Sequence, residues 1–113
     1  MITVLTPTYN RSHTLPRLYE SLCNQKSKNF EWVVVDDGST DKTQALLSGF
    51  AKAAFFAIQI ISQQNSGKHV AVNNGVSAAA GDWIFIVDSD DALTPEAIST
   101  IEASLTRFGS DNL

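Results

Sequence analysis

Short runs of β-branched and apolar residues alternate along this chain with segments of helical periodicity. The runs at residues 2–6, 31–35, 58–62 and 83–87 have the composition of β-strands. Because parallel strands are joined by crossover connections that are usually helical, the alternation predicts an α/β fold with a parallel sheet of about four strands. Residues 83–87 form the most hydrophobic run, which indicates a central strand. Residues 58–62 include the polar Gln59 and indicate an edge strand.

Local signals predict the ends of the first three helices. One helix starts behind Thr14. Asp41 and Gln44, three residues apart, resemble a capping box that opens the second helix. A third helix is predicted over residues 68–80, and Gly81 is expected to end it as a left-handed cap.

The fourth helix is expected to start with Pro95 at its first helical position and to end at Gly109. Its apolar residues recur at helical spacing and predict a buried stripe of Ile98, Ile101, Leu105 and Phe108. Most aromatic side chains are also assigned to the core, namely Phe30, Trp32, Phe55, Phe56, Trp83 and Phe85.

Composition excludes several classes of protein. With 113 residues, 43% of them hydrophobic and 18% charged, the chain suits one folded domain and neither a disordered segment nor a coiled coil. The net charge of −4, without a basic cluster, argues against nucleic-acid binding. The single cysteine, Cys23, excludes an intrachain disulfide and a multi-cysteine zinc site. No apolar run approaches the length of a membrane span, so we expect a cytoplasmic chain and leave membrane association of a longer protein open.

Polar residues follow three of the four strands. The strands run into residues 6–11, 36–39 and 88–91. Because the carboxyl ends of parallel strands meet at one edge of a sheet, we expect these loops to converge on a ligand-binding crevice. Asp88 and Asp90 have the spacing and the oxygen ligands to hold a hard divalent cation against a diphosphate. At this point an acidic turn that is merely solvated, or that caps the next helix, explains the same pattern.

The order of the motifs carries a family resemblance. VLTPTYN at 4–10 is followed by VVVDDGSTD at 33–41, NSGK at 65–68 with NNG at 73–75, and AGDW at 80–83 leading into DSDD at 88–91. Nearly the whole chain resembles the N-terminal, nucleotide-sugar-binding half of a family 2 glycosyltransferase with the Rossmann-like GT-A fold. The resemblance therefore implies that residues 1–113 are the donor-binding half, and that DSDD is a DXD-type motif.

The resemblance also implies roles for single residues. Thr6, Pro7 and Tyr9 would lie near the base of the nucleotide, Asp37 would hydrogen-bond it, and Lys68 would lie near the nucleotide and its phosphates. In the acidic motif, Asp88 would contact the ribose or the metal, and Asp90 would ligate Mg²⁺ or Mn²⁺ directly. The family motif tolerates variation at Asp91.

By the same resemblance, the activity is transfer of a sugar from a nucleoside diphosphate sugar, with a UDP-sugar expected, to a hydroxyl group of a saccharide or lipid-linked acceptor. The expected outcome is inversion at the anomeric carbon, in polysaccharide or cell-wall biosynthesis. The resembled enzymes carry the acceptor site and the catalytic base in a C-terminal half. We therefore expect no catalytic base in this chain, little transfer by it alone, and self-association through an exposed sheet edge.

Two alternatives come from other classes. Residues 84–90 resemble the hydrophobic strand and paired aspartates of a haloacid dehalogenase-type phosphatase, although Ala92 stands where that family expects Thr or Val. A non-catalytic nucleotide-binding module would use the same crevice and would bind nucleotide equally with and without a metal. Neither His13 nor His69 is assigned a role, since their spacing is not that of metal ligands.

Overall fold

The computed structural model describes residues 1–111, with the side chains of residues 1–105. Strands and helices alternate throughout, so the prediction of an α/β fold is confirmed. In chain order the elements are β1 (Ile2–Thr8), α1 (Leu15–Cys23), β2 (Phe30–Asp36), α2 (Thr43–Ala53), β3 (Ala57–Ser62), α3 (Lys68–Ala78), β4 (Trp83–Ile86) and α4 (Ala97–Asp111).

The four strands form one parallel sheet in the order β3-β2-β1-β4. The chain moves outward from β1 to β2 and β3, and then crosses back to place β4 on the other side of β1. Such a change in strand order opens a crevice beyond the carboxyl ends of the strands. The register places Thr8 beside Asp36 and Leu5 beside Ile86. The loops that follow β1, β2 and β4 are therefore neighbours.

The position of β4 differs from the prediction. In the described part of the chain, β4 pairs only with β1 and is an edge strand, and its Trp83 and Ile86 are each 53% exposed. An apolar run reports the propensity to form a strand, and the number of neighbouring strands is not encoded in it. The prediction that β3 lies at an edge is confirmed.

Helices cover the two faces of the sheet unequally. The larger core cluster lies on one face, where Leu18 of α1, Leu47 of α2 and Ile98 of α4 join the inward residues of the strands. On the other face, α3 is the only helix whose described side chains contribute to a smaller cluster, through Ala71. There Gly75 lies so close to β1 that an added Cβ would be 2.9 Å from the Leu5 Cγ atom. The close approach of α3 to β1 therefore depends on glycine.

The aromatic core was predicted only in part. Phe30, Trp32 and Phe56 are buried, and Phe85 packs against them. Phe55 is 90% exposed, and Trp83 is exposed at the edge strand, so the assignment of these two to the core is wrong. Cys23 is a free, partly buried thiol that packs against the larger cluster. None of the helices in residues 1–111 has the length and apolar character needed to cross a membrane.

Helix α1 begins after Thr14, as predicted, but two other helix signals were misinterpreted. The residue preceding α2 is Lys42, and Asp41 accepts a hydrogen bond from the Thr43 N–H at 2.9 Å in place of a capping box with Gln44. Gly81 does not cap α3 and has no positive φ. It is instead needed for space, because a Cβ there would lie 2.7 Å from the Thr3 nitrogen.

The fourth helix starts and ends later than predicted. It begins at Ala97, behind a turn that contains Pro95, and it continues through Gly109 to Asp111. Ile98, Ile101 and Leu105 pack against the larger core cluster as expected. The Phe108 side chain lies outside the described side chains, and Asn112 and Leu113 lie outside the described residues.

Candidate functional site

The three loops meet in one cleft at the carboxyl edge of the sheet. Its walls come from the ends of β1, β2 and β4 and from the start of α3. The lining residues are Pro7, Thr8, Tyr9, Arg11, Asp37, Lys68, Ala71, Asp88, Ser89 and Asp90. The cleft thus brings together every candidate residue of the sequence analysis except Thr6.

Thr6 lies beneath the cleft. Its side chain is fully buried, and its Oγ1 accepts a hydrogen bond from the Trp32 Nε1–H at 2.9 Å. The side chain shares the inward face of β1 with Ile2 and Val4, because side chains alternate along a strand. The Thr6 side chain therefore does not line the cleft, and the expected place of Thr6 near the base stays a prediction.

Three carboxylates of the acidic motif lie close together. Asp88, Asp90 and Asp91 are exposed, and each offers one oxygen within 4.8 Å of the others. The Asp91 N–H donates to the Asp88 carbonyl oxygen at 3.1 Å, which closes the turn around the buried Ser89. Mg²⁺ binds oxygen at about 2.1 Å, so opposite ligands lie roughly 4.2 Å apart. The donor set and its spacing fit one hard divalent cation.

Lys68 lies between the acidic motif and α3. Its Nζ is 3.0 Å from Asp88 Oδ1. As the first residue of α3, Lys68 places a positive charge at the helix end where the backbone dipole disfavours one. The contact with Asp88 offsets that cost and holds the ammonium group at the cleft.

Asp37 organises the loop that leads into α3. Its buried carboxylate accepts hydrogen bonds from the Ser66 N–H at 2.7 Å, the Gln63 Nε2–H at 2.8 Å and the Gly67 N–H at 3.0 Å. The Ser66 amide contributes most, and together these donors lower the pKa of Asp37 in spite of its burial. Because the bonds end at Gly67, Asp37 also sets the position of Lys68.

Tyr9 and Arg11 form the wall contributed by the β1–α1 loop. The Tyr9 side chain is 44% exposed and presents a ring to the cleft. Among the described residues, Arg11 forms no ion pair with a carboxylate, in contrast to Lys68. Arg11 was not predicted to have a role at the site, although a basic residue in the same loop as Tyr9 is a signal for an anionic ligand.

Thr8 was also missed. It is only 4% exposed, it lines the cleft, and its hydroxyl has no hydrogen-bond partner among the described residues. A buried hydroxyl without a partner is uncommon in folded proteins. Thr8 therefore places an unpaired, buried hydroxyl group at the wall of the cleft.

Known proteins match the chain over nearly its whole length. The family model described as "Glycosyl transferase family 2" matches residues 3–112. Glycosyltransferase GlyA of Streptococcus pneumoniae is 34% identical over 110 residues, which cover 97% of this chain and 16% of GlyA. The resemblance inferred from the motifs is confirmed, and the match decides against the phosphatase alternative.

Solved structures agree in fold. Staphylococcus aureus TarS 1–349 in complex with UDP-GlcNAc has a TM-score of 0.84 at 29% identity, over 94% of this chain and 31% of that one. The mannosyltransferase PcManGT of Pyrobaculum calidifontis, in complex with GDP-Man and Mn²⁺, has a TM-score of 0.85 at 26% identity, over 92% and 32%. The chain thus spans less than a third of the length of GlyA and of each of these structures. On motif order, topology and these matches, the chain belongs to glycosyl transferase family 2 and has the GT-A architecture.

Proposed function

We propose that the chain is the donor-binding part of a glycosyltransferase that transfers a sugar from a nucleoside diphosphate sugar to an acceptor hydroxyl group. UDP is the expected nucleotide, and a growing saccharide or a lipid-linked saccharide is the expected acceptor. The observation that carries the proposal is a single cleft that unites an aromatic ring, two cationic groups and two members, Asp88 and Asp90, of the cluster of three carboxylates.

The nucleoside would occupy the side of the cleft between Tyr9 and Asp37. A planar base can stack on the exposed Tyr9 ring, and stacking of this kind contributes about 1–3 kcal/mol per base. Asp37 would direct a carboxylate oxygen at the edge of the base, and the Thr8 hydroxyl is free to bond to it or to the ribose. These groups orient the donor so that its diphosphate reaches the acidic motif.

The diphosphate leaves as the anomeric bond breaks, so negative charge on it must be stabilised. Lys68 and Arg11 supply two positive groups on the walls of the cleft. A divalent cation, Mg²⁺ or Mn²⁺, held by Asp90 and Asp88 would supply Lewis-acid stabilisation of the same charge.

Inverting transfer also requires a base that deprotonates the acceptor hydroxyl group. The carboxylates that line the cleft already have other partners. Asp37 accepts hydrogen bonds from the loop before α3, Asp88 pairs with Lys68, and Asp90 belongs to the carboxylate cluster. We infer that the base is not among residues 1–111 and that this chain alone transfers sugar slowly or not at all.

The test is calorimetric titration of the chain with UDP and with GDP, with and without Mn²⁺. We expect UDP binding to weaken at least about tenfold when Mn²⁺ is omitted, and equally in Asp90→Asn with Mn²⁺ present. Asp82→Asn is the matched control, because Asp82 is exposed and pairs with the N-terminal amine. Equal UDP affinity under all conditions would favour the non-catalytic module, and no nucleotide binding would refute the donor site.

A further inference from the structure

The loop after β1 contains a residue in the left-handed region of backbone conformation. Asn10 has a φ of 51°, and it is the only non-glycine residue with a positive φ in the described part of the chain. Most side chains disfavour this region, and asparagine is among those that tolerate it. The residues on either side, Tyr9 and Arg11, both line the cleft, whereas Asn10 does not. The unusual conformation thus lies between two residues of the binding wall.

Asn10 also connects this wall to the loop that carries Asp37. Its N–H donates to Ser39 Oγ at 2.9 Å, and its side-chain Oδ1 accepts the Thr40 N–H at 2.7 Å and the Asp41 N–H at 3.3 Å. Ser39 is held in turn, since its N–H donates to Asp36 Oδ1 at 3.1 Å. One asparagine therefore bonds to three successive residues of the neighbouring loop.

A second set of hydrogen bonds joins the same two loops, with its acceptor in the loop after β2. Asp41 Oδ2 accepts hydrogen bonds from the Ser12 N–H at 3.3 Å and the Ser12 Oγ–H at 2.9 Å. Hydrogen bonds from the Thr43 hydroxyl group, the Thr43 amide, and the hydroxyl group and amide of Ser12 outweigh desolvation and lower the pKa of Asp41 to about 2. Asp41 is thus ionised at neutral pH and remains a strong acceptor.

We propose that Asn10 is a positioning residue that sets the distance between the Tyr9 and Asp37 walls of the cleft and thereby the affinity for a nucleoside diphosphate. The inference rests on the proposed function. Tyr9 and Asp37 belong to different loops, and the described hydrogen bonds between those two loops are made by Asn10 and Asp41, together with the Asp37 N–H bond to the Thr8 carbonyl oxygen. Without the Asn10 side chain, the Tyr9–Arg11 segment loses its attachment to Thr40 and Asp41.

Three substitutions separate the backbone effect from the hydrogen bonds. Asn10→Gly permits the positive φ and removes the side-chain bonds, Asn10→Asp keeps both an acceptor oxygen and tolerance of the φ, and Asn10→Ala removes both features. Asn24→Ala is the matched control, because Asn24 is an exposed asparagine at the end of α1.

The experiment is UDP titration with Mn²⁺, at a temperature where circular dichroism shows every variant fully folded. We expect the UDP affinity to be about tenfold weaker in Asn10→Gly and at least as weak in Asn10→Ala. In Asn10→Asp it should stay within about threefold of the unsubstituted chain, and in Asn24→Ala it should be unchanged. Rescue by aspartate is the result that a general loss of stability would not produce. If Asn10→Ala does not fold, the comparison of the glycine and aspartate variants carries the test.

Two results would overturn the inference while the proposed function stands: UDP binding by Asn10→Gly as tight as by the unsubstituted chain, or equal losses in Asn10→Gly and Asn10→Asp. If the unsubstituted chain binds no UDP, the proposed function fails, and the inference fails with it. The two failures are therefore distinguishable.

Discussion

A buried carboxylate at the start of β2 should control the stability of the fold. Glu31 is 3% exposed, on the face of the sheet that α3 covers. It accepts hydrogen bonds from Thr3 Oγ1–H at 2.6 Å, the Ala80 N–H at 2.6 Å and Gln59 Nε2–H at 3.0 Å. One side chain thus joins β1, β3 and the turn between α3 and β4.

We predict that Glu31→Ala lowers the free energy of unfolding by about 3–4 kcal/mol, because each donor left without an acceptor in the interior costs about 1–3 kcal/mol. Glu31→Gln keeps one acceptor oxygen and should cost about 1–2 kcal/mol. Glu20→Ala, at an exposed position of α1, should change it by less than about 0.5 kcal/mol.

The same carboxylate predicts a pH dependence. Burial raises the pKa of Glu31, but hydrogen bonds from Thr3, Gln59 and the amides of Ala80 and Gly81 outweigh burial and bring the pKa below its ordinary value of 4.5. Since the folded-state pKa is lower than the unfolded one, the stabilisation is complete above 4.5 and is lost as the pH falls through the folded-state value. The difference in stability between the unsubstituted chain and Glu31→Gln should therefore shrink as the pH falls below 4.5.

Urea unfolding followed by circular dichroism at several pH values measures both effects. A loss below about 1 kcal/mol in Glu31→Ala, or a stability difference between the unsubstituted chain and Glu31→Gln that does not change with pH, would refute the reasoning.

Two further predictions concern packing and association. Gly75→Ala should destabilise the chain by about 1–2 kcal/mol, because its methyl group meets the buried Leu5. Gly49→Ala, where the added Cβ has nothing within 4 Å, should stabilise the chain by about 0.5–1 kcal/mol. Urea titration distinguishes the two variants, and equal effects would contradict the packing argument. In the part of the chain that the structure describes, the outer edge of β4 is unpaired and Trp83 and Ile86 are exposed, which should let two copies associate. Ile86→Lys should therefore lower the weight-average mass in sedimentation equilibrium relative to Val76→Lys on the exposed side of α3, and a purely monomeric unsubstituted chain would refute this.

Periodicity was enough to predict the sheet, its helices and the convergence of three loops. It did not determine which strands and loops lie next to one another. β4 is apolar enough for a central strand, yet its position depends on which strands pair with it. Glycine is the residue type expected at a helix cap, but the role of Gly81 follows from its short distance to Thr3, which exists only in the folded chain.

In the cleft, the residues found from the sequence are those with a recognisable motif. The burial of the Thr6 side chain could have been predicted, because Thr6 alternates with Pro7 along β1 and shares the inward face of Ile2 and Val4. Thr8 has the same place as Thr6 in the alternation of side chains, but it is the last residue of β1 and lines the cleft. No sequence rule predicted the link between Asn10 and Thr40, because it depends on two loops that are adjacent only in the folded chain.

The charge balance of the cleft has a thermodynamic consequence. Formally, acidic groups outnumber basic ones by two at this site, namely Asp37, Asp88, Asp90 and Asp91 against Lys68 and Arg11. An anionic nucleotide is therefore repelled unless positive charge arrives with it. If the proposed function holds, the coupling is reciprocal: the factor by which Mn²⁺ tightens nucleotide binding must equal the factor by which nucleotide tightens Mn²⁺ binding. Nucleotide and cation would then behave as one composite ligand, and a change in the concentration of either would load the site.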